Sequence, residues 1–203
     1  MRQCCGGSSR CAHMDPVRAL EDAAMRRGNT LNVAHCLRMG VDPDIVKLWT
    51  DGVLLEGHEH APVQVMEDYP SVRDDPETAA RELDRLTSEG KIYWYSEGTA
   101  PSDLHIAPTT LIVKQERSRL GHDWTRSGLN EHLVVPSTTF QTMDDFIATV
   151  RPMGHMAGLD IRDCFFHWPI HGDARRKLGV RHPLSGQLGC YLFCLPDLLR
   201  RLA

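Results

Sequence analysis

The densest chemistry in the chain lies between Met156 and Ile170. An apolar approach, Met156 to Leu159, runs into Asp160, and a second acid, Asp163, is followed by Cys164, Phe165 and Phe166. Gly154 and Pro169 bracket the stretch and disfavour a long helix, so the pattern predicts a short strand and then a tight turn. Asp160 then stands at the strand's end, where a carboxylate can meet a metal cation without entering the sheet. Inside a core such a charge is costly unless it is paired or metal-bound. The same spacing fits a surface turn whose acids cap the following residues, and spacing alone leaves both readings open.

The elements that must position this stretch can be read in chain order. Asp15-Pro16 predicts a helix with Val17, Leu20 and Ala24 on one face, ended at Arg27-Gly28. Asn29 to Met39 reads as a second short helix, and Asp42-Pro43 opens a third containing Ile45, Val46, Leu48 and Trp49. Gly57 to Pro70 reads as loop with an extended piece at Val63 to Met66. The clearest helix follows, capped by Asp74 or Asp75, with Pro76 in its first turn and Gly90 as its stop. Its stripe is Ala79, Ala80, Leu83 and Leu86. Lys91 to Tyr95 and Thr109 to Lys114 read as strands, and Glu116 to Asn130 as a solvated hairpin or loop. Thr142 opens a further helix, with Met143, Phe146, Ile147 and Val150 on one face. Leu178 to His182 and Cys190 to Cys194 are strands joined through Ser185-Gly186. Helices first, then mixed strands and helices, predict an α+β fold.

With 203 residues the chain can bury one good core, and 41% hydrophobic with 25% charged residues is a globular composition. No apolar run approaches the length needed to cross a bilayer, and the start, Met1 to Ser9, lacks a secretory pattern. The expected location is therefore intracellular, cytoplasm or nucleus, with no membrane partner. Seven cysteines argue against a disulfide framework. Cys4, Cys5, Cys11 and His13 lack the spacing of a zinc finger, and His58 and His60 read as loop histidines. Residues 1–109 carry 11 basic and 18 acidic side chains, whereas residues 110–203 carry 12 and 9. The positive half is the half that contains Asp160.

The Asp160 stretch resembles the first catalytic motif of retroelement and retroviral reverse transcriptases. That motif is an Asp, then after two residues a small polar or acidic residue, a small residue and an aromatic. Asp160, Asp163, Cys164 and Phe165 fall on it in order. The resemblance extends over residues 66–196. Glu82 to Ile92 is similar to the helix before the fingers, and Ala107 to Lys114 to the fingers strand that ends in lysine. Arg119-Leu120-Gly121-His122-Asp123 is similar to the returning strand, Asn130 to the asparagine that closes it, and Phe140 to Val150 to the helix between fingers and palm. It does not separate tyrosine-recombinase retrotransposons from retrovirus-like elements.

The resemblance implies RNA-directed DNA synthesis with Mg2+ (Mn2+ possible), deoxynucleoside triphosphates as substrate and an RNA or DNA template with primer as partner. It implies that Asp160 holds catalytic metal, that backbone near Asp163 and Cys164 seats the triphosphate, and that Phe165 lies under the sugar. A side chain there excludes a 2′-hydroxyl because overpacking costs about 1–3 kcal/mol; otherwise Phe165 is a core aromatic. Phe166 and Trp168 read as core. A triphosphate needs fixed donors, and arginine forms bidentate phosphate contacts, which makes Lys114 and Arg119 the fingers-side candidates. Asp123 is expected to orient Arg119. The alternative for all three is an exposed salt-bridged hairpin of little energetic weight.

The chain also departs from that pattern. Two-metal phosphoryl transfer needs carboxylates bridging cations about 3.5–4 Å apart. No Asp-Asp pair follows Asp160 in the 43 residues that remain, and Asp74-Asp75 and Asp144-Asp145 precede it. Asp197, after Leu195-Pro196, has the wrong sign to sit beside phosphates. The sequence thus predicts a disordered tail (1–15), a helical N-terminal segment (16–65), a fingers-like region (66–156) and an incomplete palm (157–203). It predicts a partial reverse transcriptase, inactive alone, that needs the remainder of its polyprotein. A non-catalytic nucleic-acid-binding remnant is the first rival, favoured if the basic residues of 110–203 share one face. A structural or protein-interaction fragment is the second.

Overall fold

The Ala79, Ala80, Leu83, Leu86 stripe seeds the packing, and all four side chains are buried. A computed structural model describes residues 15–28, 31–114, 117–134, 142, 144, 147–148 and 168–193. The expected tail, most of the helix after Thr142, and the strand and turn carrying Asp160, Asp163, Cys164 and Phe165 lie outside those residues. So does the stretch from Cys194 onward, including Asp197.

Three helices open the described chain: α1 (Pro16–Gly28), α2 (Val33–Arg38) and α3 (Pro43–Asp51). Asn32 and Asp42 cap the second and third by accepting from the amides of His35 and Asp44. The buried face of α1 is not quite the expected one. Leu20 is exposed, whereas Glu21 and Met25 are buried and Val17 and Ala24 pack against the core. In α3 only Val46 is buried, and Ile45 and Leu48 are exposed.

The segment expected to be loop holds a 3-10 turn, His58–His60, and at its end a short helix begins, α4 (Pro70–Asp74), directly before α5 (Pro76–Ser88). Pro70 and Pro76 each stand in a first turn, where the missing N–H costs nothing. Asp75 caps α5 through the amide of Thr78, and Gly90 leaves it with a φ of 71°.

Two antiparallel sheets follow. Strands β1 (Ile92–Trp94), β4 (Gly179–Arg181) and β5 (Leu188–Tyr191) form a three-stranded sheet in the order β1-β5-β4. Isolated parallel bridges, Ile106 to Gly179 and Val65 to Ile106, carry the pairing outward from β4. Gly179 permits this approach, since a Cβ there would stand 2.6 Å from the His105 carbonyl oxygen. Strands β2 (Thr109–Lys114) and β3 (Arg117–His122) form a separate hairpin. Helix α6 (Leu129–His132) follows it, and α7 (Gly172–Arg175) precedes β4. Mixed helix and antiparallel sheet agree with the α+β class.

One core joins these elements across the segment boundaries drawn from sequence. Met25 and Leu55 share a cluster with Leu83, Tyr95, Trp124, Ile170 and Tyr191. Trp168 packs against that cluster, as expected of a core residue. At its centre the two sheets meet. His122 of β3 lies with Nε2 2.8 Å from the Tyr191 hydroxyl of β5 and Nδ1 3.2 Å from Thr109 Oγ1. Burial pushes the His122 pKa down to about 4.

Candidate functional site

The β2–β3 hairpin presents two different faces, and the register separates them. Leu111 stands opposite Leu120 and Thr109 opposite His122, whereas Ile112 stands opposite Arg119 and Lys114 opposite Arg117. Residues opposite one another in an antiparallel pair share a face, and neighbours along a strand alternate. Leu111 and Leu120 pack with Val72 of α4 and Ala79 of α5, so the two helices cover one side of the hairpin. Ile112, Lys114 and Arg119 are exposed on the other. Lys114 and Arg119 are thus brought to one solvent face, towards the end at which the two strands are joined.

The face is held from below and along one edge. Thr109 accepts from the Tyr69 amide at 2.9 Å and donates its own amide to Asp68 Oδ1 at 2.9 Å. The Leu111 amide donates to Ser71 Oγ at 3.0 Å, and that hydroxyl also lies 3.1 Å from Thr110 Oγ1. Residues 68–71 therefore satisfy the outer edge of β2, which would otherwise expose unpaired backbone groups. The base of the hairpin is tied by Asp123, whose amide donates to the Pro108 carbonyl at 3.0 Å.

Asp123 does not orient Arg119. Its carboxylate accepts from the Tyr69 hydroxyl at 2.7 Å and from the Arg126 amide at 2.8 Å, and no ion pair joins it to Arg119 among the described residues. The physical reason is position: Asp123 lies beyond the last residue of β3, in the turn that folds back under Tyr69. Burial opposes its ionisation, but the Arg126 and Thr125 amides and the Tyr69 hydroxyl together hold its carboxyl below the usual range. The Arg126 guanidinium lies 5.1 Å from the centre of the Tyr69 ring, which completes this small support. Asn130 closes the same turn, its amide donating to the Trp124 carbonyl at 3.2 Å and Nδ2 to Thr125 Oγ1 at 3.0 Å.

Among the described residues, three other basic side chains are engaged elsewhere in the fold. Arg175 is buried against α1, Arg176 bridges Asp15 and Asp103, and the Lys177 ammonium donates to the Ala61 carbonyl at 2.7 Å. Three of the twelve basic side chains of residues 110–203 are therefore engaged within the fold. Among the described residues of that half Lys114, Arg119 and Arg126 are exposed, and the register pairs Arg117 with Lys114.

Asp160, Asp163, Cys164 and Phe165 fall outside the described residues, so the structure brings Lys114 and Arg119 together and leaves the acidic half of the expected site unplaced. Among the described residues no group of three or more His, Cys, Asp or Glu side chains could hold a metal ion. None of their helices is long and apolar enough to cross a membrane. Sequence reasoning missed Asp68, Tyr69 and Ser71 as supports. Their signal was present in Asp68-Tyr69-Pro70, a helix start directly before the strongest helix. No protein-family model matches the sequence, and no curated protein matches it significantly.

Proposed function

We propose that the chain carries the fingers and the first palm motif of an RNA-directed DNA polymerase of a retrotransposon-like element. The observation that supports it best is the solvent face of the β2–β3 hairpin. Lys114 and Arg119 emerge there together from a strand pair whose opposite face is fixed on α4 and α5. Two cations on one face of a packed strand pair suit a triphosphate, because charge-assisted donors bind its oxygens strongly. In this reading Asp160 is the metal carboxylate, Asp163 and Cys164 seat the nucleotide through backbone, and Phe165 lies beneath the sugar. Mg2+, with Mn2+ as substitute, would supply charge to the transferring phosphoryl group. RNA or DNA template with primer would be the macromolecular partner.

Asp123 and Asn130 act in this proposal as supports of the hairpin base rather than as partners of Arg119. The chain holds no Asp-Asp pair after Asp160, so these 203 residues alone do not complete a two-metal site. Binding is therefore the function to measure first. Equilibrium titrations of a primer–template duplex and of a deoxynucleoside triphosphate with Mg2+ should both saturate. Nucleic-acid binding without nucleotide binding would favour the non-catalytic remnant instead, and neither would leave a structural or protein-interaction role.

A further inference from the structure

Helix α1 meets α7 through a set of opposite charges that is specific in register. Asp15, Arg18 and Asp22 are spaced three and four residues apart, on one side of the helix. They face, respectively, Arg176, Asp173 and Arg175. A shift of α1 by one turn sets Arg18 against the arginines or an acid against Asp173, so other registers carry like-charge contacts. Gly172 makes room for the arrangement, since a Cβ there would stand 2.8 Å from Arg18 Nε.

The centre of the set is Arg175, whose side chain is 1% exposed. Its Nη1 donates to Asp22 Oδ1 at 2.7 Å and lies 3.8 Å from Glu21 Oε2, and Nη2 lies 3.1 Å from the Met25 sulfur. Nε donates to the Ile170 carbonyl at 2.9 Å. Glu21 is itself held by the Tyr95 hydroxyl at 2.7 Å, with burial pushing its pKa up against that bond and the Arg175 charge. Around Ile170 the chain is pinned three more times. Ile170 donates to Leu192 at 2.8 Å, Val53 to Pro169 at 2.7 Å and His171 to Val53 at 3.0 Å.

We infer that α1 is a built-in latch: Asp22 and Glu21 hold the Arg175 guanidinium so that its Nε–H fixes residues 169–171. These residues end the stretch that begins at Asp160, so the latch sets one end of the motif-bearing segment from a helix far away in sequence. Arg175 is a positioning residue in this account, and lysine cannot replace it, because one ammonium lacks the fork that reaches carbonyl and carboxylate together. The bearing on Asp160 rests on the function proposed above, whereas the latch rests only on the contacts described.

The test is site-resolved amide hydrogen exchange on the full chain and on Asp22→Asn, Glu21→Gln and Arg175→Lys variants. Asp22→Asn keeps the shape of the side chain and serves if the others fold poorly. The amides of Val53, Ile170 and His171 should exchange about tenfold faster or more in each folded variant. Those of Tyr69 and Asp123, which pin the hairpin, should keep their rates. Unchanged exchange at the first three overturns the latch. Equal acceleration at all five overturns it as well, because the network then contributes only to global stability. Nucleotide binding plays no part in this readout, so loss of the functional proposal leaves the outcome intact.

Discussion

Replacing His122 by glutamine should flatten the dependence of stability on pH between neutrality and acid. In the native protein the imidazole is buried between Thr109, Trp124 and Tyr191, and its pKa is pushed down from 6.5 to about 4. At pH 7 both native and unfolded imidazoles are neutral, and the depressed pKa has no effect. As the pH falls through 6.5 the unfolded chain takes up a proton that the native chain refuses until about 4. Stability is therefore lost across that window and levels off below it. A shift of that size is worth about 3 kcal/mol, a large part of the 5–15 kcal/mol roughly typical of a domain. His105, whose pKa burial also lowers, adds a term of the same sign. Glu21 adds one of opposite sign, since its pKa is raised by burial and acid relieves it. The wild-type curve alone mixes these, so the difference between wild type and His122→Gln is the quantity to follow. Urea unfolding at half-unit steps from pH 7 to pH 4 gives it. The variant should be less stable at pH 7, where it loses packing, and should close the gap by about 3 kcal/mol on reaching pH 4. A gap that stays constant would show that His122 is not the buried neutral group described.

Leu83→Ala should destabilise the protein by about 2–5 kcal/mol in chemical denaturation, because Leu83 is fully buried where α5 meets the main core. Gly179→Ala should cost about 1–3 kcal/mol, since the added methyl meets the backbone oxygen of His105; a neutral result would mean that β4 moves away freely from Ile106. On the proposed reading, primer extension with Mg2+ or Mn2+ should show no templated incorporation above background, because Asp160 alone would leave half of the electrostatic clamp unmade. Incorporation that disappears in Asp160→Asn and Asp163→Asn would contradict this, and would mean that those acids assemble a complete site.

Helix α5 was legible in the sequence because every local signal agrees: Asp75 caps, Pro76 starts, four apolar residues make one stripe and Gly90 stops. Strand β2 was legible for a similar reason, as its β-branched residues run from Thr109 to Val113. Strand β3 was not legible from its own residues, since Arg117, Ser118, Arg119 and Gly121 carry little strand preference. Its partner β2 and the cover of α4 and α5 form it, and those are tertiary causes. Helix α1 shows the same limit. Its apolar spacing suggests Leu20 as buried, yet the helix turns Glu21 inward because Tyr95 and Arg175 await it. No pattern in residues 16–28 alone announces a partner 150 residues away. At the candidate site Lys114 and Arg119 were found through the resemblance, and their common face needed the register. The role assigned to Asp123 failed because spacing on a strand says nothing of the turn in which that residue sits.

On the proposed function, the exposed face of the β2–β3 hairpin receives the phosphates of a nucleotide. Isothermal titration with a deoxynucleoside triphosphate and Mg2+ tests it most directly, on the wild-type chain and on Lys114→Ala, Arg119→Ala and Ile112→Thr. Hydrogen bonds to charged groups contribute about 1.5–3 kcal/mol each. Either cation removed should therefore weaken binding by about tenfold or more, Arg119 by the larger factor, with the unfolding transition unchanged. Ile112→Thr, on the same face but uncharged, should bind as wild type does. Saturable binding that survives loss of both cations, or no binding by a folded wild-type chain, would contradict the claim.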